Sequence, residues 1–123
     1  MTNQHALAFA RSPAAILFQG ENDNMWGDWE DYIVATRTKR GVYAVLARKL
    51  CDEYLDGKTK KKWFIIHKVR DIKKPEEFVK AVKQCEAALN VDVSWSAVVE
   101  GISRLDIEFS IQVENLVTEI RLG

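Results

Sequence analysis

Residues 58–89 read KTKKKWFIIHKVRDIKKPEEFVKAVKQCEAAL, a strand signal followed directly by a helix signal. Proline suits the first position of a helix, because the N–H it lacks would be unpaired there anyway, and Glu76 with Glu77 complements the positive end of the helix dipole. Phe78, Val82, Cys85 and Leu89 then follow one face, while Lys80, Lys83 and Glu86 project elsewhere. This spacing predicts an amphipathic helix over about Pro75 to Leu89. Upstream, Trp63 to Val69 is apolar at both parities at its start, which predicts a central strand covered on both faces.

Toward the N-terminus, Tyr43, Leu46, Ala47, Leu50 and Tyr54 recur at spacings of three and four, and predict a second helix over about Val42 to Leu55 that Gly57 closes. Tyr32 to Thr38 is expected to be a strand for its β-branched content. Ala14 to Gln19 reads equally as a strand or as a short helix capped by Ser12, begun by Pro13 and stopped by Gly20. Toward the C-terminus, Leu105, Ile107, Phe109, Ile111 and Val113 alternate with polar residues, the pattern of a half-exposed antiparallel strand. Val93, Trp95, Ala97 and Val99 alternate in the same way, and Glu100 to Ser103 is short enough to join the two runs as a hairpin. Asn115 to Leu122 is open between helix and strand.

The resulting fold class is α+β: one mostly antiparallel sheet of about four strands with two helices packed on one face, resembling a split α/β sandwich. No repeat, linker or low-complexity block divides the chain, so residues 1–123 are expected to form one domain, with a short flexible N-terminal arm over about residues 1–12. At 123 residues one hydrophobic core suffices without staples. The longest apolar runs are far shorter than a membrane span, and residues 1–20 lack the layout of a signal peptide, so a cytoplasmic protein with no membrane partner is expected. Two cysteines, Cys51 and Cys85, are too few for a disulfide framework and read as reduced thiols.

Motifs for phosphate binding, thiol redox chemistry, metalloproteolysis, calcium binding and the serine nucleophile elbow are all absent. No cofactor, metal or catalytic residue is therefore expected. His67, near the end of the predicted central strand, is the best lone candidate for proton transfer, and a thiol–imidazole pair with Cys51 or Cys85 is the weaker variant of that reading.

Charge is more informative. Lysine plus arginine equals aspartate plus glutamate, 18 against 18, so no net field draws the molecule toward polyanions. Locally, eight Lys or Arg residues, Lys58, Lys60, Lys61, Lys62, Lys68, Arg70, Lys73 and Lys74, stand against Asp71 alone. They are the candidate contacts for nucleic acid or an acidic partner, with Lys58 to Lys62 read as a solvated connection and Trp63 as core. From Gln19 to Val34 there are five acids and no base, and from Val91 to Gly123 six acids face two arginines. Within the acidic stretch Trp26 and Trp29 interleave with Asp28, Glu30 and Asp31, a composition suited to a protein interface. The expected function is a non-enzymatic protein–protein interaction domain, a small assembly or regulatory subunit that also self-associates through its opposite patches. A nucleic-acid-binding module on residues 58–74 and an enzyme built around His67 are the alternatives.

Overall fold

The computed structural model describes the backbone of residues 13–24, 27–55 and 57–122, and the side chains of residues 13–21, 29–52 and 57–119. Four strands come first: β1 (Ala14–Asn24), β2 (Gly27–Arg37), β3 (Tyr43–Leu55) and β4 (Lys58–Ile72). Three helices follow: α1 (Pro75–Leu89), α2 (Trp95–Ser103) and α3 (Ile107–Leu122). The strands form one antiparallel sheet in chain order, each paired with its sequence neighbour. An α+β chain with a four-stranded antiparallel sheet therefore stands. The interleaved order of a split sandwich does not, because the sheet is a simple meander followed by three helices, of which only the one at residues 75–89 matches an expected helix.

The meander sorts side chains by parity. Ile33 and Ala35 of β2, Tyr43, Val45 and Ala47 of β3 and Ile72 of β4 share one buried cluster with Phe78, Val82 and Cys85 of α1, Val98 and Ile102 of α2 and Phe109, Val113 and Val117 of α3. Tyr32 and Val34 of β2 and Leu50 of β3 form a second, smaller cluster on the opposite parity, with Ile16 and Trp63 packed against it. Both parities of the central strands are thus apolar, and that explains the misreading of Val42 to Leu55. The helical spacing of Tyr43, Leu46, Ala47 and Leu50 is the sum of two strand faces, and its Ala, Leu, Arg and Lys residues carry helix propensity that tertiary pairing overrides. Gly57, expected as a helix stop, instead sits at positive φ (74°) in the turn from β3 to β4, where a left-handed residue is required.

The predicted helix at residues 75–89 is present with those bounds. The Glu77 carboxylate accepts the Lys74 N–H at 3.0 Å, satisfying a donor at the helix start. Asn90, left-handed at φ 56°, ends it, and the following Val91 N–H returns to the Glu86 carbonyl at 3.0 Å.

The two strands expected at the C-terminus are helices, for a local reason in each case. Ser94 accepts the Ala97 N–H and starts α2. Gly101, expected in a hairpin turn, lies inside α2 where a Cβ would stand 2.9 Å from the Leu17 side chain and 3.0 Å from the Ile16 carbonyl, so α2 packs directly on β1 through a residue without a side chain. Asp106 accepts the Phe109 N–H at 3.2 Å and starts α3. Phe109, Val113 and Val117 then form a buried row at spacing four, while Ile107 and Ile111 form an exposed one. Two helical rows in phase imitate strand alternation over residues 105–113.

One polar knot ties sheet to helices. The Tyr43 hydroxyl donates to Asp106 at 2.7 Å, and the Arg37 guanidinium lies 3.5 Å from the same carboxylate while donating to the Leu105 carbonyl. The Tyr43 ring stacks on Phe109, centroids 4.3 Å apart. Burial, and then the bond to Asp106, push the Tyr43 hydroxyl up to about 12.

Candidate interaction surface

β4 is an edge strand: among the described residues it pairs with β3 alone. The expectation of a central strand covered on both faces is therefore corrected. The run Phe64, Ile65, Ile66 is exposed by 42%, 60% and 39%, and it is bracketed by the cationic stretch of β4 itself. Lys58, Lys60, Lys61 and Lys62 lie within the strand rather than in a solvated connection, because the β3–β4 hairpin continues to its turn at Gly57. Lys68 and Arg70 follow on the same strand, and Lys73 and Lys74 link it to α1. All eight candidate cations thus fall on one element and its exit.

Two irregularities shape this edge. The register with β3 slips by one residue at Ile66, between the pairs Ala47–His67 and Arg48–Ile65, and again at Arg70–Asp71, before the pair Tyr43–Ile72. Asp71 has a left-handed backbone (φ 59°), which asparagine and aspartate tolerate better than other non-glycine residues. Bulges and edge lysines both limit uncontrolled strand pairing, so this edge is open yet guarded.

Trp63 is half-buried. Its ring meets Tyr32 at 5.3 Å between centroids, and the Arg48 guanidinium lies 4.3 Å from its centroid. Burial lowers the pKa of Arg48. Trp63 is thus spent on the fold, as the sequence implies, and the exposed aromatic of β4 is Phe64, with the Lys62 ammonium 5.3 Å from its centroid. Lys61 pairs with Asp52 at 3.7 Å across the hairpin.

Burial separates Asp31 from the other described members of the acidic group, Trp29 and Glu30. Trp26 and the Asp28 side chain lie outside the described residues. Asp31 is 2% exposed and held by Lys49 at 2.9 Å, so its carboxylate serves the interior and faces no partner. Lys49 also sits 4.8 Å from the Trp29 ring centroid, and Glu30 accepts the Tyr32 hydroxyl at 2.6 Å. Burial, and then that hydrogen bond, raise the Tyr32 pKa strongly. Among the described side chains of this group, Trp29 and Glu30 reach the surface, each half-buried.

His67 is half-buried, with Nε2 3.3 Å from the Gln84 side-chain oxygen of α1, an uncharged neighbour that cannot act as a second proton carrier. Burial pushes the Cys85 thiol up to about 11 and raises that of Cys51, the opposite of nucleophile activation. No cluster of three or more metal-ligating side chains occurs among the described residues, and no helix there is long and apolar enough to cross a membrane.

A second exposed patch was not foreseen. Ile107 and Ile111, 66% and 52% exposed, run along the outer face of α3 in line with Glu114 and Thr118. Beside them a cleft of about 240 Å³ opens between α2 and α3, lined by Trp95, Val99 and Val117, with Glu114 and Thr118 at its rim. Reading residues 105–113 as a strand turned Ile107 and Ile111 inward together with Phe109. The spacing Asp106-x-x-Phe109, a cap followed by a row at spacing four, is the signal that separates them.

No known family, no curated protein and no solved structure matches this chain.

Proposed function

We propose that this chain is a non-enzymatic protein–protein interaction domain that engages its partner through the outer edge of β4. The observation that carries the reading is the exposed run Phe64-Ile65-Ile66 on an edge strand, bracketed by lysines. Three adjacent apolar residues supply buried area at the centre, and the cations on either side favour a partner segment whose own apolar centre is flanked by acids.

The same cations suit a nucleic-acid backbone. The protein reading is preferred because the larger aromatic, Trp63, is engaged by Arg48 and Tyr32 instead of presenting a free face for bases, and because aliphatic Ile65 and Ile66 offer nothing for a base to stack on. A photoreactive residue at Ile65, with a control at exposed Lys83 on α1, tests this in the native host. The expected adduct from position 65 is a protein whose affinity for the purified chain is lost in Ile65→Lys and kept in Lys83→Ala. A nuclease-sensitive adduct from the same position would overturn the reading.

A further inference from the structure

The five exposed large hydrophobics found among the described residues fall into two patches of opposite character. Phe64, Ile65 and Ile66 lie among the cations of β4. Ile107 and Ile111 lie among acids: Glu108, Glu114 and Glu119 are exposed on α3, whose sequence carries a single base, Arg121, in its last turn. Isolated exposed apolar residues are ordinary on a protein surface, whereas contiguous ones rimmed by charge mark contacts. Here each patch carries what the other lacks.

We infer that the occupant of the β4 edge is a second copy of this chain, seated by the outer face of its α3. This rests on reading β4 as the docking edge, and it names the partner. The contact lays the Phe64–Ile66 run against Ile107 and Ile111, with the lysines of β4 beside Glu108 and Glu114. The cleft between α2 and α3, with Trp95, Val99 and Val117 in its lining and Ser96, Glu114 and Thr118 beside them, gives one β4 side chain a concave seat of mixed character, where apolar contact and a polar rim meet as at protein interfaces. A donor patch and a different acceptor patch on one chain make a head-to-tail contact, which closes as a ring or, where both patches of two copies meet, as a two-fold pair. Net charge of zero removes the long-range repulsion between copies that a strongly charged chain would carry.

Charge exchange tests this on the full chain. One variant carries Lys60→Glu, Lys68→Glu and Arg70→Glu, and the other carries Glu108→Lys, Glu114→Lys and Glu119→Lys; all six side chains are exposed, and circular dichroism checks that each variant folds. Sedimentation of the unaltered chain is expected to give a mass above the 14.1 kDa of one copy, falling to 14.1 kDa as salt rises. Each variant alone should sediment as a single copy, because like charges then face each other, and an equal mixture of the two should recover the higher mass. A chain that remains a single copy at every concentration overturns the inference, and an Ile65 adduct with a different protein would then leave the docking edge itself standing. An assembly unmoved by either variant, or variants that fail to rescue each other, overturns it as well.

Discussion

Asp106 shows how much of this fold hangs on single side chains. It starts α3 by accepting the Phe109 N–H, receives the Tyr43 hydroxyl and faces Arg37. The Tyr43 hydrogen bond, supported by the Phe109 amide and Arg37, holds its carboxyl below the ordinary value of 3.8 against the opposing effect of burial. A depressed folded-state pKa adds stability that is fully present above the unfolded value and is lost as pH falls through the folded one. Acid unfolding below about pH 4 should therefore be blunted in Asp106→Asn, which keeps a capping oxygen but cannot titrate, relative to the unaltered chain. Denaturant midpoints measured at several pH values check this, and parallel curves for the two proteins would refute it. Gly101 is a second such residue. Alanine normally favours a helix by about 1 kcal/mol over glycine. Here its Cβ would press on the Leu17 side chain and the Ile16 backbone carbonyl, so Gly101→Ala should destabilise by about 1–3 kcal/mol in urea titration.

At the scale of elements, α3 and β4 are the two whose periodicity deceives. In α3, Phe109 is buried and Ile111 is half exposed, although a strand would point both to the same side. Phe109→Ala should therefore cost about 3–5 kcal/mol, because it empties a stacked core position beside Tyr43 and Phe78. Ile111→Ala should stay within about 0.5 kcal/mol. Equal losses in thermal unfolding would restore the strand reading. In β4, the apolar run at residues 63–66 looks like a buried strand because hydrophobicity alone does not say which neighbour covers it. The lysines on both sides were the available hint, since charged residues often flank apolar strands whose edges are unprotected.

Across the whole molecule, charge is balanced in number and separated in space: cations gather on the β4 edge, acids on α3 and in the β1–β2 hairpin. Balanced charge argues against general polyanion binding. If Lys58, Lys60, Lys61 and Lys62 all met phosphates, duplex affinity would fall with salt at a log–log slope of about −3.6. Fluorescence anisotropy at about 0.15 M ionic strength is expected to show no measurable duplex binding and no difference when all four lysines are changed to glutamine. Retention that disappears in that variant while its fold survives would favour nucleic acid.

The sequence by itself determined α1, because Pro75, Glu77 and the Phe78–Val82–Cys85–Leu89 row are local signals that need no partner to be read. It also determined the strand at Tyr32 to Thr38, which lies within β2 but for its last residue, and the gathering of cations on one stretch, since charge is visible without a fold. Tertiary structure alone decided β3, where apolar side chains feed clusters on both sides of the sheet and so erase the period of two. It alone decided that β4 lies at an edge, since position in a sheet depends on which strands pair, a non-local choice. In α2 and α3 the caps Ser94 and Asp106 were legible, but their weight against an alternating pattern was set by burial of Val98, Phe109 and Val113 in a core assembled from all seven elements.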